Sequence, residues 1–238
     1  MNMNLFYCPD MDSLTLPEEE SQHCVQVLRM QTGDHIMLTD GKGTLCEAEI
    51  VNPNRKHCTF RVLRSERPGP LHEGHVHIAI APTKNIDRIE WMLEKCVEMG
   101  VDEFTPVLCR YSERKTVNIE RLGKILVSAA KQSLKTTFPT LHPLTPIGDF
   151  ITQATEQDRL FAHCMEGYAP TDTKHALKDC ITRGHSVAIL IGPEGDFSPE
   201  ELQLALEHGW QPVSLGPARL RTETAGLVAA HTAILINE

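Results

Sequence analysis

The chain has 238 residues, 41% of them apolar and 23% charged, with a formal net charge of −9. That composition excludes a collagen, a coiled coil and wholesale disorder, and no apolar run reaches the roughly 18 residues of a membrane span. A chain of this length buries about 70% of its unfolded surface, so it needs no disulfide or metal staple. The opening residues show no basic region followed by an apolar one, so no signal peptide is expected and a cytosolic location is.

Residues 17–30 read as one helix, with Glu18, Glu19 and Glu20 in a first turn where the macrodipole favours acids. Residues 35–40, 44–51 and 57–63 read as short strands, with Gly41-Lys42-Gly43 as the turn between the first two. Together these predict a small β-barrel of about 70 residues. The segment 67–74, punctuated by Pro68, Gly69, Pro70 and Gly74, marks a boundary. Beyond it, strands are expected at 76–81, 103–109, 159–164, 186–191 and 212–215. Helices are expected at 85–99, 118–135, 171–182, 198–208 and 223–236. This alternation predicts an α/β fold with a mostly parallel sheet covered on both faces. The final helix carries little polar surface, so it must be buried or packed on another chain.

The eight cysteines lack C-x-x-C spacing and several lie among apolar neighbours, so they read as reduced core residues. His72, His75 and His77 cluster, but no cysteine or carboxylate at ligand spacing accompanies them, and ordinary strand and linker histidines are the better reading. No metal is expected. Net charge argues against nucleic acid only as an average. Residues 53–67 hold five basic residues and one acid, and residues 108–135 hold seven basic residues and two acids. Each run taken alone reads first as a solvated face.

Two segments join a strand end to a helix start, where open α/β sheets bind ligands. The first is Ile191-Gly192-Pro193-Glu194-Gly195, followed by Ser198, Pro199 and Glu201 as cap, first helical residue and capping-box partner. The second is Leu215-Gly216-Pro217-Ala218-Arg219-Leu220-Arg221-Thr222, leading into Glu223 and Thr224. There Thr222 is the expected helix cap. Two arginines beside a helix N-terminus oppose the dipole, which points to a role other than helix stability. No Gly-x-Gly-x-x-Gly, Walker loop or Gly-x-Ser-x-Gly is present.

Ile191 to Gly195, Leu215-Gly216 and the run Leu220 to Ala225 resemble the loops of the SPOUT methyltransferases. Leu28-Arg29, Gly33-Asp34 and Asp40 to Gly43 match the N-terminal domain of the ribosomal RNA small subunit methyltransferase E family. So do Lys84, Asp87-Arg88, Lys95, residues 98–101, residues 112–114 and Gln132-Ser133. The resemblance spans nearly the whole chain in order. It implies a PUA-like β-barrel over 1–70, which binds RNA. It also implies a trefoil-knotted parallel-sheet domain over 74–238 that uses S-adenosyl-L-methionine. The expected assembly is a homodimer, and the expected activity is methylation of N3 of a uridine in 16S rRNA of the small ribosomal subunit. The chain departs from the family pattern at Asp196, where a second glycine is usual, at Ala218 and Arg219, and around the Gln-Ser motif, at Lys131, Leu134 and Lys135.

On that resemblance, the backbone from Ile191 to Gly195 and from Leu215 to Arg221 is expected to hold the cofactor, with Thr222, Thr224, Met165 and Glu166 as further candidates. Uridine N3 needs its proton removed and the charge on its flanking carbonyls stabilised. Arg114 and Arg221 are assigned to the uracil, and Glu223 to the proton, although a helix-start acid explains Glu223 equally well. RNA contacts are expected from Arg29, Lys42, Arg55 and Lys56, and from Lys84, Arg110, Arg114, Lys131 and Lys135. Two other readings stay open: a SPOUT enzyme with another RNA target, and a non-catalytic RNA-binding or ribosome-assembly protein.

Overall fold

The computed structural model describes residues 4–164 and 174–238. The chain forms two compact units: Met1–Pro70 with Val127–Phe138, and Leu71–Leu126 with Pro139–Glu238.

The first unit is built on a four-stranded sheet in the order β1 (Leu5–Tyr7), β2 (His35–Thr39), β3 (Leu45–Asn52), β4 (Thr59–Glu66). β1 runs parallel to β2, and the other pairs are antiparallel. Alternation sends Ile36, Leu38, Cys46, Ala48 and Ile50 to one face, where they pack with Phe6, Leu16 and Phe60. Two register shifts interrupt the β3–β4 pair, the device that bends a strand and increases its twist. At the β2–β3 turn, Gly41 and Gly43 adopt φ of 72° and 97°. Asp40 accepts hydrogen bonds there from the Lys42 and Thr44 amides at 2.7 and 3.0 Å.

The helix expected over 17–30 is shorter than predicted. α1 covers Glu18–Gln22 and passes into a π-helical turn, His23–Val27, where the Leu28 amide donates to the His23 carbonyl five residues back. The run His-Cys-Val-Gln-Val is poor in strong helix formers, and Arg29 then takes φ of 55°, which ends the helix. Residues 127–138 complete this unit. The Thr39 hydroxyl and the Gly43 amide both donate to the Thr136 carbonyl, and the Phe138 amide donates to the Gly41 carbonyl. The Phe138 ring lies 4.9 Å from that of Tyr7.

The second unit holds an eight-stranded sheet whose registered pairs all run parallel. The strands in chain order are β5 (His75–Ile80), β6 (Glu103–Leu108), β7 (Thr140–Leu141), β8 (Thr145–Pro146), β9 (Asp158–Ala162), β10 (His175–Ala176), β11 (Ser186–Ile191) and β12 (Gln211–Ser214). Across the sheet the order is β10-β12-β9-β11-β5-β6-β7, with β8 also paired to β6. Central strands β5 and β11 are buried along nearly their whole length, as a sheet covered on both faces requires, and β5 carries His75 and His77 among its apolar residues.

α2 (Ile86–Met99) begins at Asn85, whose side chain accepts from the Asp87 amide, and ends at Gly100 with φ of 101°. α3 covers Ile119–Gln132 and α4 covers Ile147–Gln153. α5 (Pro199–Glu207) has the predicted capping box between Ser198 and Glu201. α6 (Thr222–Asn237) packs on α2, β5 and β11, with Gly226, Ala229, Ala230 and Ala233 buried.

Two further expectations differ from the structure, and one stretch had been left unassigned. Of the helix expected over 171–182, the described part is the two-residue strand β10 followed by a 3-10 turn, Leu177–Asp179. Only Leu177 and Ile181 are buried there, too few for an amphipathic stripe. Thr222 is the first helical residue rather than the cap; Arg221 holds the cap position and makes no side-chain cap. The stretch 139–157 contains β7, β8 and α4, which the sequence reading left unassigned. All eight cysteines are free, and six are buried.

Candidate functional site

The loops after β11 and β12, together with the end of β9, surround a cavity of about 650 Å³. Ile191, Gly192, Pro193, Leu215, Gly216, Leu220 and Thr222 line it, as expected of cofactor-binding positions. Glu194, Gly195, Arg221 and Thr224 belong to the same two segments but do not line it. Met165 and Glu166 lie outside the described residues. Pro217, Ala218 and Arg219, inside the stretch expected to hold the cofactor, line it too; the lining that sequence reasoning missed includes His163 and Cys164 beyond β9, Lys174 and Asp196. His163 and Cys164 are the last two residues of the strand predicted over 159–164, so the strand-end rule points to them. Lys174 carries no such signal, because a helix was expected there.

The glycines of the first loop are explained by protein packing. A Cβ on Gly192 would meet the Phe197 ring at 3.1 Å, and one on Gly195 would meet Tyr111 Cβ at 3.0 Å. Gly216 differs: its φ is 118° and nothing stands within 4 Å of a Cβ built there. It is glycine because the backbone demands it.

Asp196 has φ of 64°, which accounts for the glycine usual at this position in the family it resembles. Aspartate is among the few residues that enter this region, because its short side chain hydrogen-bonds locally. One Asp196 carboxylate oxygen accepts from the Phe197 amide at 2.9 Å and the other from the Cys164 amide at 2.8 Å, tying the β11 loop to the end of β9. Asp196→Ala keeps the strained φ and loses both bonds, so it should cost about 1–3 kcal/mol. Asp196→Gly trades those bonds for a relaxed backbone and should shift stability by less than about 1 kcal/mol. Equilibrium denaturation checks the order, and an alanine variant as stable as the glycine variant contradicts this account.

The cavity is polar at one wall. His163 Nδ1 is buried with no partner among the described residues. Burial first, and then the neighbouring Lys174 ammonium, hold the His163 imidazole below its ordinary pKa. Lys174 Nζ donates to the His163 carbonyl at 2.8 Å. An unsatisfied buried nitrogen, a positive-φ glycine with open space and a volume in the usual range for small-ligand pockets fit a small polar ligand.

Arg114, assigned to the reacting base, donates from Nε to the Thr83 carbonyl at 3.0 Å and from Nη2 to the Lys84 carbonyl at 2.6 Å. The Lys84 amide in turn donates to Glu194 Oε1 at 3.0 Å. Arg114 and Glu194 therefore hold the chain between β5 and α2 from two sides. Arg221 is exposed. Glu223 lies in the first turn of α6, 8% exposed; its Oε2 has no hydrogen-bond partner among the described residues, and its Oε1 is 3.9 Å from Arg88 Nε. Its neighbours Thr222 and Ala225 line the cavity.

The basic candidates fall in both units. Arg29, Lys42, Arg55 and Lys56 are exposed in the first. Lys131, also in the first, forms an ion pair with the buried Glu20, and Lys135 is half-buried there. In the second, Lys84 pairs with Glu113 at 2.9 Å, which raises its pKa, and Arg110 Nη1 is 3.9 Å from Glu200. No helix among the described residues is long and apolar enough to cross a membrane.

Residues 70–234 match the family model described as an RNA methyltransferase domain, and residues 16–63 match the RNA methyltransferase PUA domain. The chain is 30% identical to the ribosomal RNA small subunit methyltransferase E of Synechocystis sp. over 224 residues, covering 91% of this chain and 71% of that one. Among solved structures, it resembles a probable rRNA-methyltransferase from Porphyromonas gingivalis, with 44% identity, a TM-score of 0.92 and coverage of 99% and 98% of the two chains. It also resembles a Legionella pneumophila methyltransferase in complex with the bound cofactor SAM, with 28% identity, a TM-score of 0.86 and coverage of 98% and 97%. With a parallel sheet, a cavity at its strand ends and family matches over both units, the chain belongs to the ribosomal RNA small subunit methyltransferase E family of RNA methyltransferases.

Proposed function

We propose that this protein methylates N3 of a uridine in 16S rRNA of the small ribosomal subunit, using S-adenosyl-L-methionine. The observation that carries this reading is the convergence of the β11 and β12 loops on one cavity at the carboxyl ends of the parallel sheet. Family membership and a SAM-bound structural neighbour support it. The protein works in the cytoplasm as a homodimer, with the knotted topology its family resemblance implies.

Ile191, Gly192, Pro193, Leu215, Gly216, Leu220 and Thr222 hold the cofactor in this reading. His163 Nδ1 and the Gly216 backbone are the polar features that suit its adenosine and methionine ends. S-Adenosylmethionine supplies an electrophilic methyl group on a sulfonium. Glu223 takes the N3 proton of the uridine. Arg221 stabilises the charge that spreads onto O2 and O4, the electrostatic term that outweighs others in such reactions. Arg114 keeps the loop at Thr83 and Lys84 in place, so that the base is aligned. Because N3 lies on the pairing edge, the uridine must be unpaired or flipped out.

In this reading Arg29, Lys42, Arg55, Lys56 and Lys135 contact RNA from the first unit, and Lys84 and Arg110 contact it from the second. The Lys131 ammonium is committed to Glu20, and we leave it out of that set. Phosphate contacts make affinity fall steeply with salt. If four phosphates are neutralised, the slope of log K against log salt is about −3 to −4. A flat dependence removes these contacts.

The test of function is methyl transfer from labelled S-adenosylmethionine to small ribosomal subunits lacking modification, followed by nucleoside analysis. The expected product is 3-methyluridine. Transfer to another nucleoside or to ribose would replace the assigned target. Absence of both transfer and cofactor binding would favour a ribosome-assembly protein.

A further inference from the structure

At the opposite end of the sheet from the cavity, four side chains from separate segments meet. His77 is on β5 and Glu103, its register partner, opens β6. His142 lies between β7 and β8, and Glu156 lies between α4 and β9. We propose that His77, Glu103, His142 and Glu156 form a binding site for one divalent transition-metal ion of the zinc type.

Ligand atoms of His77, Glu103 and His142 all lie within 4.8 Å of one another. Ligands around a tetrahedral zinc, at about 2.0–2.2 Å from the metal, stand roughly 3.3–3.6 Å apart. Small side-chain movements bridge that difference. Glu156 Oε1 is 2.6 Å from His77 Nδ1, and Glu103 Oε2 is 3.9 Å from the same nitrogen. Two carboxylates thus converge on one ring nitrogen, which has at most one proton to share. A cation between them satisfies both. Two carboxylates around a dication also leave the centre neutral.

The surroundings suit a metal ligand. His77 Nε2 lies 2.8 Å from the hydroxyl of Thr105, which is 3% exposed. An outer hydrogen bond of this kind fixes ring orientation and tautomer in metal-bound histidines. His77 is nearly buried, while the Glu103 and His142 side chains retain 27% and 37% exposure, so an ion has a way in. His142 Nε2 lies 2.6 Å from one Glu103 carboxylate oxygen and His75 Nε2 lies 2.9 Å from the other. Two imidazoles favour zinc, copper or nickel over magnesium or calcium. The linear spacing of His72, His75 and His77 pointed away from a metal because the second histidine and both carboxylates come from Glu103, His142 and Glu156. Bound, the ion would clip the chain on either side of α4 to the edges of β5 and β6.

The full chain, stripped with a chelator, is titrated with Zn²⁺ against a chromophoric competitor and separately with Co²⁺ followed by visible absorption. One equivalent per chain is expected, with a cobalt spectrum of tetrahedral intensity and no thiolate charge-transfer band. His142→Gln and Glu156→Gln should each weaken Zn²⁺ binding by more than about tenfold, and Thr105→Val by roughly 10–100-fold through its outer bond. His142 is partly exposed, so His142→Gln leaves the fold intact, which circular dichroism verifies. Three results overturn the site. These are no Zn²⁺ retained at micromolar concentration, unchanged affinity in His142→Gln and Glu156→Gln, or a thiolate band that vanishes in Cys164→Ser. The first would mean that these residues form only a hydrogen-bonded network.

Discussion

Glu223→Gln is expected to lower methyl transfer by about 10²–10⁴-fold, the range for losing a positioned proton acceptor. Cofactor affinity should stay within about twofold, because an amide of the same shape preserves packing. Glu223 is buried, one of its oxygens has no hydrogen-bond partner among the described residues, and the other lies 3.9 Å from Arg88. An unsatisfied buried acceptor is costly, and structures that keep one often do so for a chemical purpose. The competing account is that Glu223 merely complements the helix dipole of α6. That role is worth only about 0.3–1 kcal/mol and would appear as a small loss of stability with turnover intact. Single-turnover kinetics beside binding calorimetry separates the two. A rate close to that of the parent removes Glu223 from the chemistry.

Gly226→Val is expected to be the most damaging single change to the second unit. Gly226 is in the second turn of α6, facing α2 and β5. A Cβ there would overlap Met92 Sδ and stand 2.8 Å from Ile80 Cδ1. Alanine would gain about 1 kcal/mol in helix propensity over glycine. Overpacking a filled interior costs about 1–3 kcal/mol. For alanine the two terms are of similar size, because the single added methyl meets Met92 near the end of its long side chain and Ile80 at its terminal methyl. Valine adds two methyl groups and gains less propensity, so strain wins. Its thermal midpoint should fall by roughly 3–10 °C, given about 2–4 °C per kcal/mol for a unit of this size. An unchanged midpoint in Gly226→Val would show that α6 does not rest on this contact.

Much of the second unit was legible because its signals are local. The apolar run 186–191 could only be a buried strand, and Ser198, Pro199 and Glu201 announced the start of α5. The apolar stripe announced α2 over 85–99, and the structure makes Asn85 its cap and Gly100 its stop. The region 139–157 was opaque because β7 and β8 are two residues each, too short for any periodicity. The loops at Ile191 and Leu215 were readable as a site, yet which of their residues face the cavity was not. Gly195 and Glu194 carry the family pattern but serve Tyr111 and the Lys84 amide, contacts that arise only after folding. Asp196 shows the reverse case. Its departure from glycine was visible in the chain, and its reason, a left-handed backbone held by two amides, was not.

The first unit recruits residues 127–138, which follow its own strands by some sixty positions. This has a consequence for synthesis. When Pro70 leaves the ribosome, the Thr39 hydroxyl and the Gly43 amide have no Thr136 carbonyl to meet, and Glu20 has no Lys131. At translation rates of about 5–20 residues per second, the nascent chain waits roughly 3–14 s before the completing segment is made. The amino-terminal segment therefore matures late, after the first strands of the sheet that follows have emerged. A gene fragment ending at residue 70 encodes an interrupted hydrogen-bond network, and exchanging this module between relatives requires carrying the distant segment with it.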